Sequence, residues 1–179
     1  MASSSFLFLY GPSGAGKSTL ARRLSAALSL PAYDLDARIQ QRTGQSPAEI
    51  FAARGEAAFR AEERAELRAV LNEAPGVVAL GGGALLDESN RALAEAHGRV
   101  LRLTAGADTL AARLAGSAEL RPLAADPQRL QAMLAARAAH YASFTHALDT
   151  SALSEDAALD AAQIGLGAWR VSAMGSPYS

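Results

Sequence analysis

Residues Gly11-Pro12-Ser13-Gly14-Ala15-Gly16-Lys17-Ser18 decide the reading of this chain. They fit the phosphate-loop pattern G-x-x-x-x-G-K-[ST]. Glycines let the backbone turn its N–H groups inward into an anion nest. A helix opening at Lys17 adds the positive end of its dipole. Lysine supplies a compact charge for the β- and γ-phosphates of a nucleotide, where a planar guanidinium fits poorly. The Ser18 hydroxyl is a hard oxygen donor suited to Mg²⁺. Gly14, Ala15, Gly16, Lys17, Ser18 and Thr19 are the candidate ATP contacts. The pattern needs a strand before it and a helix after it. Both are present: 6–10 is an apolar run, and 18–28 places Leu20, Leu24 and Leu28 on one helical face. These residues imply binding of a nucleoside triphosphate. They do not separate a kinase from a GTPase, an ATPase or a regulatory module.

Composition singles out the same lysine. Of the 17 basic residues, all but Lys17 are arginines. Alanine is abundant and isoleucine scarce, as in a GC-rich coding bias that replaces lysine by arginine wherever either serves. At 179 residues the chain suits one domain, expected over 1–165 with a C-terminal tail over 166–179. The net charge of −1 lacks the basic excess of a nucleic-acid binder. There are no cysteines, hence no disulfide framework and no thiolate metal site. Apolar runs are of strand length, and the first residues lack the basic and apolar regions of a signal peptide. The expectation is a cytoplasmic protein with no membrane or nucleic-acid partner, and a monomer by default.

Strands and helices alternate along the rest of the chain. The pattern predicts a strand over 32–35 and a helix over 37–42 ended by Gly44. Ser46 reads as an N-cap, with Pro47 at the first helical position and Glu49 completing a capping box. Gly55 separates this short helix from a long one over 56–73, whose Glu and Arg residues suggest an exposed face. A strand over 77–80 runs into Gly81-Gly82-Gly83, followed by a helix that stops near His97-Gly98. Further elements are a strand over 100–103, a helix over 108–114, a loop over 116–127, a helix over 130–141, a strand over 144–148 and a helix over 155–164. This order argues for a parallel sheet with helices on both faces.

Asp34-Leu35-Asp36 follows the second predicted strand, and ligands of open α/β sheets bind outside the carboxyl ends of strands. If the strand continues, the two carboxylates share a face, one for the water shell of Mg²⁺ and one to accept a hydroxyl proton. The competing reading makes Asp36 a helix N-cap.

At this point the chain resembles a known family. Asp34-Leu35-Asp36, Arg42-Thr43-Gly44-Gln45-Ser46, Ile50-Phe51, Gly55-Glu56, Phe59-Arg60, Glu63, Gly81-Gly82-Gly83, Arg121-Pro122-Leu123 and Arg137-x-x-x-Tyr141 follow, in order, the pattern of shikimate kinases. The resemblance runs over about 6–165. It implies a P-loop, nucleoside-monophosphate-kinase-like three-layer α/β sandwich. That fold would have a five-stranded parallel sheet, substrate-binding helices within about 34–63 and a mobile lid over about 115–127. It implies ATP and shikimate as substrates and Mg²⁺ as cofactor. Lys17, Asp36 and Arg121 become the catalytic candidates. Asp34 would organise Mg²⁺ through water, beside Ser18. Asp36 would orient and deprotonate the 3-hydroxyl. Arg60 and Arg137 would clamp the carboxylate, with Gly82 donating from its backbone. Phe51 and Phe59 would wall the ring, and Arg121 would reach the phosphates from the lid.

Each of these has a plainer alternative: Arg60 and Glu63 as a surface i,i+3 pair, 81–83 as a simple turn, Arg121 and Arg137 as solvated arginines. His97, His140 and His146 follow no ligand spacing and read as structural or solvated. The chain departs from the family at Ala124, where a second leucine is usual. Arg113 also lies one residue further from Arg121 than the arginine that stacks on adenine. A kinase for another small metabolite and a silent nucleotide-binding module remain open at this point.

Overall fold

The computed structural model describes residues 6–116 and 126–167. Most of the expected lid, with Arg121, Pro122 and Leu123, and most of the tail therefore lie outside the described residues.

The first strand, β1 (Phe6–Tyr10), is buried along its whole length. Leu7 and Leu9 enter one apolar cluster, while Phe6, Phe8 and Tyr10 enter another. Successive side chains point to opposite faces, so a strand apolar at every position needs cover on both. β1 accordingly sits at the centre of a parallel sheet. It pairs with β3 (Val77–Ala79) and β4 (Gly98–Thr104), and β2 (Ala32–Asp34) and β5 (His146–Asp149) lie outside them. The order is β2-β3-β1-β4-β5.

Helices α1 (Lys17–Leu28), α5 (Ala107–Ala115) and α7 (Glu155–Gly165) supply Leu20, Leu24, Leu110, Leu114 and Ala162 to the Leu7/Leu9 face. The aromatic face is covered by α3 (Pro47–Val70), α4 (Glu88–His97) and the end of α6 (Pro127–Ala142), through Leu67, Val70, Ala94 and Tyr141, with Phe144 beyond. Each of these large apolar side chains contributes roughly 1.5–3 kcal/mol when fully buried. The result is the expected three-layer α/β sandwich with a five-stranded parallel sheet.

Local signals explain most boundaries and correct several. Helix α2 (Leu35–Thr43) begins earlier than expected because Asp34, the last residue of β2, caps it by accepting from the Ala37 N–H at 3.2 Å. Asp36 is therefore neither on a strand nor the cap; it lies in the first turn of α2. Gly44 closes α2, and the Ser46–Glu49 capping box opens α3. Gly55 breaks α3 internally with φ 81° and ψ 173°, a conformation open to glycine and costly for other residues. After Gly83 comes a short 3₁₀ turn (Ala84–Leu86) and not one continuous helix, since Asp87 caps α4 on Ser89 and Asn90. Pro127 belongs to α6, at its first position behind the cap Asp126, and not to the loop. The last strand starts at His146, because Phe144 still donates to the Tyr141 carbonyl at the end of α6.

The long helix is not simply charged on an exposed face. Glu66, 3% exposed, accepts from Arg38 Nε at 2.6 Å and Arg42 Nε at 3.0 Å. Arg42 also reaches Glu62 at 2.9 Å, and Arg38 reaches Glu73 at 2.5 Å. The pairs through Glu62 and Glu66 fasten α2 to α3, and the pair through Glu73 ties α2 to the turn that follows α3.

Candidate active site

The carboxyl ends of all five parallel strands converge on one edge of the sheet. β1 runs into Gly11, β2 ends at Asp34, β3 leads to Gly81-Gly82-Gly83, β4 ends at Thr104, and β5 leads to Thr150. A cleft of about 600 Å³ opens there, lined by Gly14 to Leu20, Asp34, Asp36, Arg113, Thr150 and Leu153 among others. All six candidate ATP contacts of the phosphate loop face it, as do both candidate metal residues, Ser18 and Asp34.

Within the loop, Lys17 donates from Nζ to the carbonyls of Gly11 at 2.8 Å and Pro12 at 2.9 Å. The ammonium is thus folded back across the nest at the start of α1. Arg113, of doubtful role by sequence, donates to the Thr150 carbonyl at 2.7 Å, the Thr150 hydroxyl at 3.0 Å and the Gly14 carbonyl at 3.3 Å. On the rim, Arg23 pairs with Glu155 at 3.2 Å and with Asp156, joining α1 to the start of α7.

The glycine run gathers the remaining candidates. Arg137 donates from Nη1 to the Gly82 carbonyl at 3.3 Å, and Tyr141 donates its hydroxyl to the same oxygen at 2.8 Å. Arg60 lies against the next residue: a β-carbon on Gly83 would stand 2.5 Å from Arg60 Nη2. Gly82 itself packs on the phosphate loop, its β-position 3.2 Å from the Gly11 carbonyl. Asp36, Arg60, Gly82 and Arg137 are therefore brought together. Phe59 is buried, with the Arg60 guanidinium 5.2 Å from its ring centre, and Phe51 lies 6.1 Å from it and is 45% exposed.

Sequence reasoning gave Glu63 no role, and its surface-pair alternative for Arg60 proves half right. The i,i+3 ion pair exists, but Glu63 is completely buried. Oε2 takes Arg60 Nη1, and Oε1 has no hydrogen-bond partner among the described residues. The Glu63 carboxyl is pushed up to about 7, chiefly by burial and also by neighbouring Asp36, against the downward pull of Arg60 and Arg137. Behind Arg137, burial raises Tyr10 and Tyr141, and the Tyr10 hydroxyl meets His140 Nε2 at 3.1 Å. Burial also lowers His140. His97 bonds the Leu93 carbonyl, and His146 is exposed. Thr150 carried no sequence signal at all, being one threonine just past a strand.

A phosphate loop at the carboxyl edge of a 2-3-1-4-5 parallel sheet, facing a pocket of arginines and carboxylates, defines a P-loop kinase of the nucleoside-monophosphate-kinase type. Residues 13–164 match the family model for shikimate kinase. The shikimate kinase of Salinibacter ruber is 42% identical over 154 residues, 80% of this chain and 76% of that protein. That of Mycobacterium avium is 44% identical over 136 residues, 74% of this chain and 76% of that protein. A solved shikimate kinase from Acinetobacter baumannii in complex with shikimate superposes with a TM-score of 0.83 at 28% identity, covering 93% of this chain and 96% of that one. A gluconokinase from Sinorhizobium meliloti, TM-score 0.60 at 19% identity over 94% of each chain, shares the fold alone. The chain belongs to the shikimate kinase family, enzymes that use ATP to phosphorylate the 3-hydroxyl of shikimate on the route to chorismate and the aromatic amino acids.

Proposed function

We propose that this reaction is carried by the residues assembled at the sheet's carboxyl edge. ATP lies with its phosphates in the loop 11–18, and shikimate lies over the glycine run between α3 and α6. The observation that supports this most is the pair of guanidinium groups, Arg60 and Arg137, against adjacent glycines with Asp36 beside them. Two planar cations in one small pocket suit a carboxylate, giving orientation as well as charge. Gly82 donates its backbone N–H to the ring, and Phe51 and Phe59 wall it.

In the transfer, the 3-oxygen forms a bond to the γ-phosphorus as the bond to the β–γ bridging oxygen breaks. That electron pair leaves with ADP. Asp36 orients the hydroxyl and accepts its proton. Lys17 holds the β- and γ-phosphates, and Arg121, outside the described residues, adds charge to them. Positioning and cationic stabilisation carry most of such a reaction, because phosphoryl transfer needs little covalent help.

The donor set fits Mg²⁺. Ser18 and Asp34 offer only oxygens to the cleft, and among the described residues no cluster of three His, Cys, Asp or Glu forms a protein cage. Such a site suits an ion held mostly by phosphate oxygens and water. Ser18 would ligate it directly and Asp34 through water. When bound, Mg²⁺ supplies charge neutralisation on the phosphates. Among the described residues no helix is long and apolar enough to cross a membrane. A cytoplasmic monomer without nucleic-acid partners completes the reading.

The test is coupled ADP release with ATP, Mg²⁺ and shikimate, run beside gluconate and nucleoside monophosphates. ADP release that depends on shikimate is expected. Turnover with another acceptor and none with shikimate would overturn the assignment of Arg60 and Arg137.

A further inference from the structure

Four polar or charged residues are buried among the described residues: Glu63, Glu66, Asn90 and Thr150. Glu66 serves the α2–α3 ion pairs, and Asn90 donates to the Ala84 carbonyl at 3.0 Å. Glu63 belongs to the substrate pocket. Thr150, 5% exposed, has no part in the mechanism above, yet it joins four elements. Its Oγ1 lies 3.1 Å from the Ala15 carbonyl in the phosphate loop and 3.1 Å from the Thr104 carbonyl at the end of β4. The same oxygen accepts from Arg113 on α5. Its own N–H already donates to Thr104 at 2.8 Å.

A hydroxyl has one proton. Thr104 is already served by the Thr150 N–H, so the hydroxyl proton falls to the carbonyl of Ala15, itself fully buried. Arg113 donates into the hydroxyl oxygen and strengthens it as a donor. In a trans peptide the C=O and the following N–H point in opposite directions. Holding the Ala15 carbonyl toward β5 therefore turns the Gly16 N–H the other way, toward the anion side of the nest. Arg113 acts in the same sense one peptide earlier, on the Gly14 carbonyl. Without these contacts either carbonyl is free to rotate its negative end toward the phosphates.

We propose that Thr150 is a positioning residue for the nucleotide: its hydroxyl fixes the Ala15–Gly16 peptide of the phosphate loop so that the Gly16 N–H faces the phosphates. The inference rests on the reading of 11–18 as the ATP site.

Thr150→Val keeps the shape and removes the hydroxyl. It is expected to raise KM for ATP and Kd for ADP about tenfold, the scale of one hydrogen bond, with KM for shikimate unchanged. Thr150→Ser is expected to restore both nucleotide constants. A fall in Tm with unchanged nucleotide constants would make Thr150 merely structural and overturn the proposal. So would equal rises in both KM values, or failure of serine to rescue. If Thr150→Val does not fold, Thr150→Ala removes the same group and carries the test. Wild type and Lys17→Ala are run alongside. Shikimate-dependent turnover by the first and its loss in the second keep the ATP-site reading intact whatever Thr150 does, whereas wild type that binds no ADP would bring down that reading and the proposal with it.

Discussion

Glu63 lies directly under Gly81. A β-carbon at Gly81 would overlap Glu63 Oε1 and stand 3.5 Å from Asp36 Oδ1, so both carboxylates crowd one missing side chain. The Glu63 end cannot simply swing away, because it is buried and holds Arg60. Gly81→Ala is expected to displace Glu63, and with it Arg60, raising KM for shikimate about tenfold or more while KM for ATP changes little. Steady-state kinetics in each substrate decide it; an unchanged shikimate constant would contradict the coupling.

Arg60 has two jobs that separate by mutation. Arg60→Ala removes half of the proposed carboxylate clamp and strands Glu63. Breaking a buried pair from one side costs up to about 3–5 kcal/mol when the stranded group stays charged, and less here because the Glu63 carboxyl, already raised, takes up a proton. The single variant should therefore lose both shikimate affinity and stability. Adding Glu63→Gln should recover much of the stability and none of the affinity. Denaturant titration beside shikimate binding checks both; affinity recovered in the double variant would argue against a direct contact from Arg60.

The raised carboxyl of Glu63 gives stability a definite pH dependence. Its ordinary value is 4.5, and in the fold it is about 7. Between those values the folded protein holds a proton that the unfolded chain has released. Stability contributed by this group is thus present below 4.5 and lost as pH rises toward 7, by at most about 1.4 kcal/mol per pH unit. Glu63→Gln should flatten that fall. Urea unfolding at pH 5, 6, 7 and 8 measures it, and parallel curves for the two proteins would exclude Glu63 as the source.

Lys17→Ala should lower kcat by roughly 10²–10³-fold, the usual scale for a cation acting on transition-state charge. Lys17 is only partly buried and touches two loop carbonyls, so Tm should move little. Wild-type turnover in the variant would refute its phosphate role.

The sequence foretold what is local and repetitive. The loop 11–18, the Ser46–Glu49 cap and the unbroken apolar run of β1 each act within a few residues, so their patterns survive in one dimension. Asp34 and Asp36 show the limit. Their meeting at the cleft was expected, but from a strand that has already ended, because the Asp34 side chain caps α2. The burial of Glu63 was hidden for a different reason. Helical spacing set it with the charged residues, and the approach of Gly81, just past β3, is a contact no local pattern shows. Thr150 was illegible altogether, since its partners lie 37, 46 and 135 residues away.

One feature of the phosphate loop has a use outside catalysis. The only lysine in the chain is also the one folded across the nest. An acylating reagent aimed at side-chain amines therefore has a single target, set in the cleft itself. Its rate of labelling, read at Lys17 by peptide mapping so that the reactive α-amino group is counted apart, would report nucleotide occupancy with no engineered probe.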